Sequence, residues 1–150
     1  MRPEVKIIFH CFDEVFGNAA TCALWHVQKG FRTIGYHYVI LNGWLSSTLY
    51  NIFFDGWLET GRPLDDDSQM DIWERGAHVK GWNANSIGVG MVGKSGKFTK
   101  SQLNTARGLT EMLRQQFFEV SVYQHSDFDP KKDFCAGLID EQMKFITGED

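Results

Sequence analysis

Apolar residues in this chain collect in short, uninterrupted runs bounded by glycine or polar residues. Lys6 to Phe9 is one such run and ends on His10. Gly35 to Leu41, Ser86 to Val92 and Val120 to Tyr123 follow the same pattern. Runs this short and this rich in β-branched and aromatic residues predict buried strands. Between them the period changes to that of a helix. Asn18 to Gln28 has a capping residue at its start and Gly30 just past its end. Thr99 caps a longer stretch in which Leu103, Ala106, Leu109, Met112, Leu113 and Phe117 recur on one helical face. Leu138 to Ile146 predicts a short closing helix. Strands alternating with helices predict an α/β fold, a mixed β-sheet flanked by helices, in a single domain covering residues 1–150.

The stretch from Asn42 to Arg62 is less regular. Asp55-Gly56, with Tyr50 to Phe54 before it and Trp57 to Thr60 after it, predicts a hairpin turn. Trp44 to Thr48 reads as an irregular surface insertion. Asp65, Asp66 and Asp67 open a polar loop that runs to Lys80, and they lack the ligand spacing of a calcium-binding loop. Asp127 to Gly137 predicts another loop.

Composition narrows the functional classes. A chain of 150 residues, 43% hydrophobic and 14% aromatic, buries a sizeable core, which excludes disorder. Its net charge of −4 offers no strongly basic face, so no nucleic-acid partner is expected. No run approaches the roughly 18 apolar residues of a spanning helix, so no membrane insertion is expected. The first apolar stretch, interrupted by His10, is too brief for a secretory signal. Synthesis in a reducing cytosol, a monomeric state and free thiols at Cys11, Cys22 and Cys135 follow as expectations.

Polar chemistry sits where strands end. His10 closes the first strand, His125 follows the last one, and Cys135 comes ten positions later across a loop. Two imidazoles and a thiolate make a three-ligand zinc set whose fourth position stays open, as in catalytic rather than structural sites. Zinc in such a set polarises a carbonyl and lowers the pKa of water.

The segments around these residues form a longer series. It includes Ile7-Ile8-Phe9-His10-Cys11, Trp25-His26, Gly35-Tyr36-His37-Tyr38, Glu59-Thr60-Gly61-Arg62, Ala77-His78-Val79-Lys80-Gly81-Trp82-Asn83 and Ser86-Ile87-Gly88-Val89, closing with His125-Ser126-Asp127. The series resembles the type-2 N-acetylmuramoyl-L-alanine amidases, the family that includes phage endolysins of amidase type and the peptidoglycan recognition proteins. The resemblance covers residues 5 to 140. It implies zinc-dependent hydrolysis of the amide bond between N-acetylmuramic acid and L-alanine in peptidoglycan, with a phage endolysin as the nearest type. A non-catalytic peptidoglycan-binding module of the same fold is the alternative.

Residue by residue, the resemblance makes His10 and His125 metal ligands and Tyr36 a catalytic phenol in the zinc cleft. The third ligand and the lysine stay open. With Cys135 as ligand, which the softer thiolate favours, Lys132 is the catalytic lysine. With Asp133 as ligand, Lys131 takes that role. His78, in the loop motif near the cleft, is expected to contact glycan or peptide. His26 is expected on the helix surface or against Trp25. His37 is expected on the face opposite Tyr36, and Cys11 and Cys22 as small buried hydrophobes.

Overall fold

A computed structural model describes residues 4–149. Met1, Arg2 and Pro3, part of the segment read for a secretory signal, lie outside the described residues, as does Asp150. Five strands form one sheet: β1 (Val5–Cys11), β2 (Tyr38–Trp44), β3 (Tyr50–Thr60), β4 (Ser86–Met91) and β5 (Val120–Gln124). Their spatial order is β3-β2-β4-β1-β5. β2, β4, β1 and β5 run parallel, and β3 pairs antiparallel with β2 at one edge. Three helices cover the sheet: α1 (Ala19–Gln28), α2 (Lys100–Gln116) and α3 (Asp140–Thr147).

The apolar runs are uninterrupted because β1 and β4 are covered on both faces. Ile7, Phe9, Ile87, Val89 and Met91 face Ala106, Leu109 and Leu113 of α2 and Ile146 of α3. Alternation turns the intervening residues to the other side. There Val39, Leu41 and Val92 pack with Cys22 of α1, and Tyr36 lies against them. Both long helices start at capping boxes, Asn18 with Thr21 and Thr99 with Gln102, which satisfy amides that have no partner inside the helix. Gln102 is fully buried, and its Nε2 donates to the carbonyls of Ile40 and Val92, tying the start of α2 to the sheet.

One expectation is overturned. Asp55-Gly56 is not a hairpin turn but the middle of β3, which runs through it with shifts in its register against β2. Gly56 has φ +83° and lies so close to α2 that a Cβ would stand 2.8 Å from the Ser101 carbonyl oxygen. Positive φ and close approach both demand glycine at a bulge as they do at a turn, so the dipeptide misleads. The chain reverses instead across the stretch read as an insertion, where the Leu45 amide donates to the Leu49 carbonyl at 2.9 Å. Among the described residues, no helix is long and apolar enough to cross a membrane.

Candidate metal site and cleft

The sheet register builds the site. Phe9 of β1 is paired with Gln124 of β5, so the residues that follow them, His10 within β1 and His125 just past the end of β5, meet at the carboxyl edge of the sheet. Their Nδ1 atoms are 3.2 Å apart. Cys135 arrives from the loop after β5, and its Sγ accepts the Cys11 amide at 3.1 Å. The Ser126 amide donates to the Cys135 carbonyl at 2.7 Å, which ties this loop back beside His125. The ligand atoms of His10, His125 and Cys135 all lie within 4.8 Å of one another.

The electrostatics of the trio suit a soft cation. Burial, reinforced by the His78 and His125 rings, holds His10 well below the usual imidazole range, so it is a neutral donor. Burial also lowers His125, with Lys132 adding to the effect and Asp129 opposing it. The Cys11 side chain and burial push the Cys135 thiol upward, while Lys132 pulls the other way. A thiol so placed is converted to thiolate by a coordinated metal ion. Two neutral imidazoles with one such thiol form the borderline-soft, three-donor set that zinc takes in open sites.

Tyr36 and Lys132 complete the surroundings. Both line a cleft of about 190 Å³ together with His125 and Cys135. Tyr36 precedes β2 and is anchored by its carbonyl, which accepts the Arg62 amide at 2.9 Å. Its ring centroid lies 4.9 Å from that of His10. Gly90 of β4 makes room for it, since a Cβ there would stand 2.6 Å from Tyr36 Cδ2. Burial keeps the phenol protonated far above its usual range. The Lys132 Nζ lies 5.6 Å from the Phe134 ring centroid at the mouth of the cleft. Asp133 and Lys131 are exposed and do not line the cleft.

His78 is not a cleft-lining residue. It lies behind His10, its Nδ1 2.9 Å from His10 Nε2. His37 is buried on the side away from the cleft. Its Nδ1 accepts the Gly88 amide at 3.0 Å, and its Nε2 meets the Glu74 carbonyl at 2.6 Å. Glu74 is fully buried as well, and its carboxylate accepts the Asp65 and Asp71 amides at 2.8 Å each, which folds the acidic loop.

Several cleft residues received bland readings from sequence. Cys11 and Cys22 are buried as expected, but both line the cleft. His26 does so too; its Nδ1 accepts the Gly35 amide at 2.8 Å, and its ring meets that of Tyr36 at 5.1 Å. The Trp25-His26 pair within the motif series was the available signal. Phe12, Asp13, Trp25 and Lys29 extend the cleft into a wider groove of about 390 Å³ along α1.

The mostly parallel sheet flanked by helices, which carries these side chains at its carboxyl edge, is a fold seen in solved structures. The fold matches that of the N-acetylmuramoyl-L-alanine amidase LysC from Clostridium intestinale at TM-score 0.71 and 21% identity, covering 95% of this chain and 84% of that one. It also matches peptidoglycan recognition protein-LE, solved in complex with tracheal cytotoxin, at TM-score 0.66 and 15% identity, covering 96% and 81%. An endolysin of Enterobacteria phage K11 is 31% identical over 132 residues, 83% of this chain and 72% of the phage protein. The chain belongs to the N-acetylmuramoyl-L-alanine amidase family, whose family model matches residues 5–137.

Proposed function

We propose that the chain is a zinc-dependent N-acetylmuramoyl-L-alanine amidase that acts as a phage endolysin. In this reading it is made in the host cytoplasm and cuts cell-wall peptidoglycan as a monomer. The convergence of His10, His125 and Cys135 beneath a cleft that also carries Tyr36 and Lys132 is the observation that supports it. The endolysin relative and the peptidoglycan fragment bound by a protein of the same fold support the substrate class.

His10 Nδ1, His125 Nδ1 and Cys135 Sγ would hold the zinc, which supplies Lewis-acid polarisation of the lactyl carbonyl and activation of water. The chain's own residues do the rest. Tyr36, kept protonated by its surroundings, donates a hydrogen bond toward the oxygen that gains negative charge. The Lys132 ammonium adds a positive charge on the same side of the cleft. Phe12 and Trp25 offer apolar walls to the substrate, and Lys29 offers a cation to the carboxylates of the stem peptide. Water adds across the amide, the C–N bond breaks, and the products are a lactyl carboxylate and the free amine of L-alanine.

Mass spectrometry of purified peptidoglycan digested with the protein tests this. New L-alanine amino termini and peptide-free glycan strands are expected. Cut glycan strands with stem peptides still attached would overturn the amidase reading.

A further inference from the structure

We infer that His78, seated by Gly88 and tied to Ser86, is the positioning residue that fixes the tautomer and orientation of His10 for metal binding. The inference deepens the zinc-amidase reading and rests on it.

His10 uses both ring nitrogens. Nδ1 faces His125, and Nε2 meets His78 Nδ1 at 2.9 Å. The far nitrogen of His78, Nε2, lies 3.1 Å from Ser86 Oγ. A neutral imidazole carries one proton, so each ring has one donor and one acceptor. If His78 accepted at Nε2 and donated from Nδ1, the His10 proton would be forced onto Nδ1, and His10 could not be a ligand. The opposite order runs His10 Nε2–H to His78 Nδ1, then His78 Nε2–H to Ser86, and it leaves a lone pair on His10 Nδ1 aimed at His125 and Cys135. Only this order leaves His10 free to bind a metal, and the Ser86 hydroxyl, 3.1 Å away, can accept the His78 Nε2 proton that it requires.

The His78 ring packs directly on two glycines. A Cβ on Gly88 would stand 2.6 Å from His78 Cγ, and one on Gly76 would stand 2.8 Å from His78 Cδ2. The Asn83 Oδ1 accepts the amides of His78 and Val79 at 2.9 and 3.0 Å, which closes the loop that presents the ring. Ser86 is fully buried. Gly76, His78, Asn83, Ser86 and Gly88 thus form one seat behind His10, and that explains why the loop motif carries them together. Groups that hydrogen-bond the non-ligating nitrogen of a histidine ligand usually change metal affinity by about 10–100-fold when removed.

The test uses the full chain, zinc competition against a chromophoric chelator, and nitrogen-15 NMR of the histidine rings. His78→Leu should bind zinc about 10–100-fold more weakly than the parent. His78→Asn, whose Oδ1 can accept from His10 Nε2–H, should recover most of that loss. Ser86→Ala should fall between them. In the parent, with or without zinc, the His10 proton should sit on Nε2. A His78→Leu protein with native near-ultraviolet circular dichroism and zinc affinity within about two-fold of the parent overturns the inference. So does a parent His10 protonated on Nδ1. If His78→Leu does not fold, Ser86→Ala and the parent tautomer still decide. A parent that takes up no zinc defeats the zinc reading itself, while the tautomer result stands apart from it.

Discussion

Phe9 and Gln124 are register partners on adjacent parallel strands, and that pairing brings His10 and His125 together across 115 positions of sequence. A slip of one residue in either strand would turn one imidazole to the opposite face. The donor cluster therefore depends on the sheet core as directly as on the donors themselves.

Replacing the thiol separates the two assignments of the third ligand. Cys135→Ser is expected to abolish zinc uptake and wall lysis, because a neutral hydroxyl is a poor substitute for a thiolate. Asp133→Asn, at an exposed position off the cleft, should change neither. Metal analysis of the purified variants decides between them, and full zinc in Cys135→Ser would reverse the assignment.

Tyr36→Phe keeps the ring against Gly90 and removes only the hydroxyl. Zinc content should be unchanged, while kcat falls by roughly 10²–10³ with KM little altered, the usual cost of losing one oxyanion donor. Rates of L-alanine amine release from purified peptidoglycan measure this. An unchanged kcat would remove Tyr36 from the catalytic group.

The two lysines of the Pro130 loop should behave differently. Lys132 lines the cleft and Lys131 does not. Lys132→Ala should lower kcat at least tenfold, about 1.4 kcal/mol of transition-state stabilisation, and Lys131→Ala should leave it near the parent value. Equal effects in the two variants would count against the assignment of Lys132.

Gly90→Ala tests the close packing under Tyr36. The new methyl would meet Tyr36 Cδ2 at 2.6 Å, so the ring or the strand must shift. A loss of about 1–3 kcal/mol in a denaturant melt is expected from overpacking of this kind. Turnover should fall further than in a variant destabilised equally at Leu109, which is remote from the cleft. Equal turnover in the two would show that the packing under Tyr36 matters only for stability.

Acid should destabilise the protein partly through His37. Burial lowers its pKa to about 4. The unfolded chain, with a pKa near 6.5, binds the proton first, so stability is fully present above about 6.5 and falls as pH drops toward 4. The shift corresponds to about 3 kcal/mol at the acid end. NMR titration of the ring checks it, and a His37 midpoint near 6.5 would rule this contribution out.

Much of this molecule was legible in the chain. The apolar runs at Lys6 to Phe9 and Ser86 to Val92 read as buried strands because both faces of β1 and β4 are covered. Thr99 with Gln102, and Asn18 with Thr21, mark helix starts through local hydrogen bonds that need no distant partner. The strand-like composition of Tyr36 and His37 starts β2 three residues early, because both precede the ladder and their carbonyls are held by the Arg62 and Gly61 amides. Asp55-Gly56 misled because a bulge and a turn make the same demand on backbone conformation.

Local periodicity, caps and motif spacing thus determined the elements, the fold class and the residue types at the site. They act over a few residues, and a sequence carries them directly. Which of those residues meet was left to the sheet. Register set His10 beside His125, the return of the 125–137 loop set Cys135 on the Cys11 amide while leaving Asp133 exposed, and the side-chain-free positions of β4 admitted Tyr36 at Gly90 and His78 at Gly88. Apart from His78 and Gly88, those pairings join residues 54 to 124 positions apart, and only the packed sheet fixes distances between parts of the chain so far separated.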